Sequence, residues 1–379
     1  MRKITLFIGL LIFILRLNAQ TDTSSSSKFS FTGDFRFRVE QDWDSKKSDG
    51  TFRDNRSRLR YRVRLGGSYK INQWATIGAR IRTGQPNKQQ DPQLTLGDGY
   101  GEFNTLPIGF EKAYVQLNYK NLLFWAGKNT FPFEKSNELF WSDNVYPEGV
   151  FLKKHFTTQS KVFSGIELSG GHFIINASGN SFKNDSYFEG FQTVFNLFDS
   201  KLKFFPSFYY FKNIPNIPDG NHDFLFDYSI LHLGTKLKLF NKPNINFEAD
   251  FYSNLQDYDD NDNIIANLKN EKKGFVAGIS YGKLKNQGDW FFKATYTNLE
   301  QYAAVDFLAQ NDWARWDYSS FDSPDGRLTN FKGLELVGAY ALNTKMVLKM
   351  KWYFVEQLVP YGEFRETGSR VRLDLDIKL

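Results

Sequence analysis

The 379-residue chain contains no cysteine, only three methionines and four histidines and, beyond its first residues, no apolar run long enough to cross a membrane as a helix. Each shortage excludes something. Without cysteine there is no disulfide framework, no thiolate nucleophile and no sulfur ligand set for a metal. His155, His172, His222 and His232 stand at no metal-ligand spacing and beside no partnered nucleophile, so an enzymatic reading has no constellation to rest on. No glycine-rich phosphate cradle occurs, and no cofactor or metal site is implied. Charge of one sign is also scarce. Without Arg2, Lys3 and Arg16 the 48 basic residues become 45 against 42 acidic ones, a net charge of +3 that gives no reason to expect nucleic acid as a partner.

The first residues have their own pattern. Arg2 and Lys3 precede the apolar run ITLFIGLLIFIL, and Leu17, Asn18 and Ala19 lead into Gln20. A basic start, an apolar stretch of about a dozen residues and a small residue before the break read as a signal peptide over 1–19, cleaved after Ala19. A short periplasmic segment, 20–27, and a single domain, 28–379, follow.

Aromatic residues are abundant, with 39 Phe, 19 Tyr and 8 Trp, mostly within alternating runs. In FSFTGDFRFRVE, Phe29, Phe31, Phe35, Phe37 and Val39 face one way, and Asp34, Arg36, Arg38 and Glu40 face the other. The C-terminal RVRLDLDIKL sets Val371, Leu373, Leu375, Ile377 and Leu379 against Arg372, Asp374, Asp376 and Lys378. NINFEADFY and KMVLKMKWYF repeat the arrangement, the latter with Lys345, Lys349 and Lys351 on its polar face. Such strands have one apolar face and one charged face.

Connection lengths organise them. Long links fall near 44–55, 84–110, 129–160, 181–186, 212–225, 255–271, 300–329 and 357–368; short ones fall at 70–73, 120–121, 170–171, 199–200, 241–242, 286–288 and 343–344. Eight long and seven short links join sixteen strands, with both termini on the short-turn side. Between Gly149 and Gly179 two registers compete, one with a strand KVFSGIELS turning at Gly170–Gly171 and one with a strand VFLKKHF turning at TTQSK; both keep sixteen. Tyr69, Tyr119, Tyr281, Trp290 and Tyr340 share the apolar parity and adjoin short turns, as an interfacial girdle would. The predicted fold is all-β: a transmembrane antiparallel β-barrel with short periplasmic turns and long extracellular loops in a bacterial outer membrane, surrounded by lipid and lipopolysaccharide and inserted by barrel-insertion machinery.

The run RSRLRYRVRL then has one place to go. Arg56, Arg58, Arg60, Arg62 and Arg64 share a face, roughly 7 Å apart. Facing lipid, each midplane arginine would cost about 2–4 kcal/mol, whereas the opposite face is mostly apolar. The arginines therefore line the lumen, joined by Arg36, Arg38, Arg80 and Arg82, and this wall carries +7 when Asp34 and Glu40 are its only acids. Loop acids, or Asp374 and Asp376 across the closing seam, which are counted among the pore-lining residues, can neutralise much of that charge; a balanced lumen would be a general diffusion pore and an unbalanced one an anion-preferring pore. In the loop FEKSNELFWSDNVYPEGVFLKK, Glu134, Lys135, Glu138, Asp143 and Glu148 form a constriction if the loop folds inward. The run DYDDNDN, 257–263, has four acids and no EF-hand glycine; it reads as a solvated loop able to bridge divalent ions.

GDFRFRVE, SRLRYRVRLGGSYKINQWATIGARIRTG, TLGDGY, EKAYVQL, AGKNTFPF and YPEGV, in that order over about the first 150 residues, resemble the putative porin family of the Bacteroidota, similar in plan to phosphate-selective porins O and P. Leu379 stands where such barrels usually end in an aromatic residue. The resemblance implies a sixteen-stranded channel able to form a homotrimer, with an inward-folded third loop. The expected function is passive diffusion of small hydrophilic solutes, anions favoured, with no chemical step; alternatives are a channel specific for phosphate or an acidic oligosaccharide and a plugged barrel with an adhesive role.

Overall fold

A computed structural model describes residues 27–98, 103–158, 160, 162–179, 181–215, 224–313 and 329–379. The signal peptide over 1–19 and all but the last residue of the 20–27 segment lie outside the described residues. The strands are β1 (Phe29–Trp43), β2 (Arg56–Lys70), β3 (Ala75–Thr83), β4 (Leu94–Thr95), β5 (Ile108–Tyr119), β6 (Leu122–Lys128), β7 (Glu148–Thr157), β8 (Phe163–Asn176), β9 (Ser186–Leu197), β10 (Leu202–Pro215), β11 (Leu225–Phe240), β12 (Ile245–Asn254), β13 (Lys273–Gly282), β14 (Trp290–Leu299), β15 (Phe331–Ala341), β16 (Met346–Gln357) and β17 (Thr367–Lys378). Strand β4 is a two-residue return of the second loop onto the upper edge of β2. The other sixteen pair antiparallel with their sequence neighbours, and β17 pairs with β1, closing the barrel. Closure leaves no unpaired sheet edge, the condition for a β-structure in lipid.

The links sort by length as expected. Turns 71–74, 120–121, 198–201, 241–244, 283–289 and 342–345 and the link between Thr157 and Phe163 lie at the end where β1 begins and β17 ends, and the long links lie at the other. The register between 149 and 179 is the one with strand VFLKKHF, within β7, so the third long loop ends at 147 rather than 160. The expected turn at Gly170–Gly171 does not form; both glycines lie inside β8. A Cβ on Gly171 would sit 2.4 Å from the Phe173 ring, so the glycine makes room for a neighbour.

Alternation holds around the wall. Phe31, Leu65, Phe110, Leu152, Phe191, Ile279 and Met350 are exposed on the outer face, while the arginines of β2 point inward. The girdle forms at the short-turn end: Trp290 stands across from Tyr340 with ring centroids 4.8 Å apart, and Tyr69 packs on Phe29 at 4.6 Å.

The interior differs from a simple water-filled tube. Sixteen strands enclose more space than wall side chains fill, and here loops occupy part of it. The third loop brings Phe131, Phe133, Leu139, Phe140, Trp141 and Val145 against Trp125, Phe151, Phe173, Phe188, Tyr209 and Tyr252 of β6 to β12, all buried. Wall glycines make room for rings: a Cβ on Gly190 would lie 2.4 Å from Phe133 of the loop, and one on Gly234 would lie 2.0 Å from Phe205 of β10. The inward face at β1, β2 and β17 stays polar, while on β14 to β16 Leu299, Phe331, Tyr353 and Val355 join the buried apolar cluster beside Lys293, Glu335, Lys349 and Lys351.

Candidate pore and constriction

The charged wall is built by register. Across β17, β1 and β2 the inward rows read Asp376–Arg36–Arg62, Asp374–Arg38–Arg60, Arg372–Glu40–Arg58 and Arg370–Asp42–Arg56. Each upper row sets one acid between two arginines, and each carboxylate serves both neighbours: Glu40 accepts from Arg58 and from Arg372 Nε at 2.7 Å, and Asp42 accepts from Arg370 and from Arg56 Nε at 3.0 Å. In the middle rows the acid lies on β17. Arg38 takes Asp374 through two bonds of 2.6 and 2.8 Å, and Arg36 takes Asp376 at 2.5 and 3.0 Å. That leaves Arg60 and Arg62 beside like charges, and they reach elsewhere, Arg60 to Asp91 and Arg62 to Asp34, each at 2.5 Å. Arg64 and Arg80 share Glu111 of β5 at 2.6 Å each. Arg82 is buried at the base of the second loop, donating to the Thr83 and Lys88 carbonyls at 2.8 and 2.9 Å.

These partners correct the +7 reckoned for this wall. Asp42 belongs to β1, which runs three residues past Glu40, and Glu111, Asp91, Asp374 and Asp376 come from other strands and a loop. Pairing turns a row of like charges into a lattice of bidentate and shared contacts.

The inward loop is held on several sides. Gln192 of β9 accepts from Glu134 N at 2.7 Å and donates to Glu134 O at 2.9 Å. Asn137 donates to Asp250 at 2.7 Å, Asn144 accepts from Arg64 at 2.9 Å and the Tyr146 hydroxyl accepts from Arg80 at 2.5 Å. The seventh long loop folds in as well, with Ala303, Ala304, Val305, Leu308 and Trp313 buried. Ser142 N donates to Leu308 O at 2.8 Å and Gln310 N donates to Glu138 O at 3.0 Å, so the two loops form one unit. Gln90 of the second loop joins them, donating to the Phe307 and Ala309 carbonyls at 2.5 and 2.8 Å.

Between this unit and the arginine wall lies a polar cavity of about 250 Å³, lined by Arg36, Arg38, Arg60, Arg62, Arg64, Lys349 and Lys351 and by the acids Asp91, Glu138, Asp143 and Asp312. A second cavity of about 350 Å³ adjoins β14 to β16. Asp312 pairs with Arg372; although burial opposes it, the Arg372 and Arg38 guanidinium groups hold this carboxyl below its ordinary range. Burial, with Asp143 adding to it, pushes the Glu138 carboxyl up. Lys236 and Lys203 hold Glu134 down against its burial.

Most of the residues named from sequence are brought together, with three exceptions. Glu148 belongs to the outer face of β7, paired with Lys128 at 2.6 Å, and is not part of the constriction. Glu134 faces Lys236 and Lys203 on the packed side of the lumen. Arg82 serves the second loop. Sequence reasoning missed Lys349, Lys351, Arg370, Arg372, Glu111 and Asp312. The two lysines and Arg372 stand on the charged face of alternating strands, a signal that was present; Asp312 sits in a loop without periodicity.

One arrangement resembles a hydrolase. His232 bonds Asp250 at 2.8 Å and stands opposite Ser207 in register. Ser207, however, donates to Phe205 O at 3.3 Å and accepts from Gln192 at 2.8 Å, and the rings of Phe140 and Tyr252 stack on His232, sealing the site. A catalytic nucleophile needs both the base and access to substrate. The group instead fixes Asn137 of the inward loop through Asp250. In the acidic run 257–263, Tyr258 is buried and its hydroxyl donates to Asp227 O at 2.6 Å, tying that loop to the wall.

A closed antiparallel barrel of sixteen strands with an inward-folded third loop defines the class of outer-membrane channel proteins. A family model described as "Putative porin" matches residues 49–226 and 224–362, and the chain belongs to that family. Solved structures agree in fold. A high-pH structure of Pseudomonas putida OprB superposes with a TM-score of 0.56 at 14% identity, covering 93% of this chain and 94% of that one. Salmonella typhi OmpF in complex with daunomycin gives 0.52 at 12% identity, over 93% and 97% of the two chains. An engineered mutant of the Rhodopseudomonas blastica porin gives 0.51 at 11% identity, over 93% and 100%. No curated protein matches the chain.

Proposed function

We propose that this protein is a general diffusion pore for small hydrophilic solutes, with a modest preference for anions. The observation that carries the reading is the polar cavity between the loop unit and the charged wall, whose lining has seven basic and four acidic side chains. Behind that lining Asp34, Glu40, Glu111, Asp374 and Asp376 pair with these arginines and with Arg58, Arg80 and Arg372, so ten basic groups meet nine acidic ones and the surplus is a single positive charge. Solutes move down their own gradient. The N-terminal segment acts as a cleaved signal peptide, and the family resemblance supports a homotrimer as the working assembly. A second reading, a channel specific for phosphate or an acidic oligosaccharide, draws on the arginine ladder.

Swelling of liposomes that contain the refolded protein tests both. The diffusion reading expects neutral sugars and amino acids to enter at rates that fall with solute size and do not saturate. Saturable uptake confined to one acidic solute would favour the specific channel, and no swelling at all would leave a plugged barrel.

A further inference from the structure

We propose that the lipid-facing wall at β13 to β16 holds one anionic phospholipid of the periplasmic leaflet, an acyl chain in a groove of the wall and the headgroup on lysines of the turns below. The groove is apolar, about 530 Å³ in volume, and lies on the outer face between Ile279, Phe292, Leu336 and Met350, all exposed. Two small residues hollow it out. Ala294 stands across from Ile279 and Leu336, and Gly338 stands across from Phe292 and Met350, so the two are diagonal neighbours among large side chains. A Cβ on Gly338 would meet only the Phe292 ring, at an ordinary 3.8 Å. Unlike Gly171 and Gly190, this glycine makes room for no ring of the protein, and the hollow it leaves opens to lipid.

Its depth in the membrane is set by its neighbours. Towards the short turns, Trp290 stacks on Phe292 with ring centroids 5.8 Å apart and stands across from Tyr340, in the aromatic girdle that marks the interface. Girdle rings lie at headgroup level. The groove therefore lies at the depth of the acyl chains of the periplasmic leaflet, with the phosphates of that leaflet beside the turns.

Those turns supply Lys242, Lys283, Lys285 and Lys345, all exposed. Farther along β16, Lys349 and Lys351 each hold a carboxylate, at 3.2 and 3.0 Å, whereas the four turn lysines pair with none among the described residues. The one acid of the three turns, Asp289, accepts from Lys285 N and Asn286 N at 2.8 Å each and so caps its own turn. Lys345 stands opposite another exposed lysine, Lys378, whose N–H donates to Lys345 O at 2.9 Å. Like charges directly opposite destabilise a sheet, and a phosphodiester between them removes that penalty. Gly282 N donates to Asn244 O at 2.8 Å and Gly288 N to Ala341 O at 2.9 Å, so the turns are laced together and hold the lysines in one arc. A basic arc at the foot of an apolar groove fits an anionic lipid better than a zwitterionic lipid or a soluble anion.

Titrating the refolded mature protein in a neutral detergent with dioleoyl phosphatidylglycerol, dioleoyl phosphatidylcholine or glycerol 3-phosphate tests this, with native mass spectrometry and the melting temperature of the barrel as readouts. Wild type is expected to retain one phosphatidylglycerol about ten-fold more tightly than phosphatidylcholine, to melt higher with it, and not to retain glycerol 3-phosphate. Gly338→Leu fills the groove from the lipid side and should lose the bound lipid while melting with wild type in detergent alone. The triple variant Lys283→Gln, Lys285→Gln, Lys345→Gln should still take phosphatidylcholine and lose the preference, each lysine near an anionic headgroup being worth about five-fold. Equal retention of the two lipids by wild type, or full retention of phosphatidylglycerol by Gly338→Leu, leaves only an unselective lipid annulus and overturns the site. If Gly338→Leu folds poorly, the lysine variant, confined to exposed turns, decides: an undiminished preference there overturns the site as well. A wild-type oligomer that retains no lipid and dissociates in Gly338→Leu assigns the groove to a second copy of the chain instead. None of these readouts needs conduction, so the pore reading stands whichever way they fall.

Discussion

Replacing Trp141 with alanine is expected to release the inward loop and give a larger, noisier conductance. Trp141 is among the most buried residues of the chain, stacked on Phe131 with ring centroids 4.5 Å apart and against Phe188 at 4.8 Å. Its indole N–H donates to Val145 O at 2.9 Å, and its carbonyl accepts from Lys135 at 2.7 Å, so the residue closes the loop on itself as well as on the wall. Truncating a buried tryptophan costs about 3–5 kcal/mol, most of it from lost packing and the void left behind. The barrel ladder does not depend on that packing, because each wall strand is bonded to two others. The loss therefore falls on the loop. Single-channel recordings check this, together with limited proteolysis, which should cut within 129–147 in the variant and not in wild type. An unchanged conductance and an uncut loop would mean that the hydrogen bonds from Gln192, Asn137 and Arg64 hold the loop alone.

Asp374→Ala is expected to weaken the barrel as a whole. Asp374 is buried in the β1–β17 seam with both oxygens on Arg38 and a second guanidinium, that of Arg36, 3.6 Å away. Removing one partner of a buried pair leaves the other charge uncompensated, at a cost of roughly 3–5 kcal/mol. Here Arg38 loses its acid and is left against Arg60, its neighbour on β2, while Arg36 keeps Asp376. The temperature at which the folded barrel converts to its slower-migrating form on a denaturing gel should fall clearly below that of wild type. Adding Arg38→Met to the same chain should recover much of the loss, since the stranded charge goes too. If the single variant melts with wild type, water in the lumen already solvates Arg38, and the seam is held by its backbone ladder.

Much of this was legible in sequence because a barrel wall has two solvents. Lipid on one side and water on the other enforce a period of two that RVRLDLDIKL and RSRLRYRVRL show without ambiguity, and the difference between turns and loops orders the strands. Gly170–Gly171 misled because paired glycines usually mark a turn, whereas here Gly171 yields space to the Phe173 ring within one strand. The charge of the wall was overstated for a related reason: sequence reveals which residues share a face, not which strand's acid lies across from which arginine. Arg36 meets Asp376, and Arg38 meets Asp374, only through closure of the barrel. The contributions of Asp91, Asp312 and Asn144 come from loops, where no period announces the direction of a side chain. The aromatic filling of one side of the lumen was hidden in the same way: the loop FEKSNELFWSDNVYP is expected to fold inward for its charges, and only the structure shows its Phe and Trp residues packing on the rings of β8 to β12.

The central claim is that the crescent between the loop unit and the charged wall is an open path for ions. Single-channel recording of the refolded wild-type protein in planar bilayers, with a salt gradient to set the reversal potential, tests it most directly. The account predicts stable conductance steps and a reversal potential displaced modestly toward that of the anion. Correctly folded barrels that insert and pass no current would contradict it and leave a plugged barrel whose loops do the work.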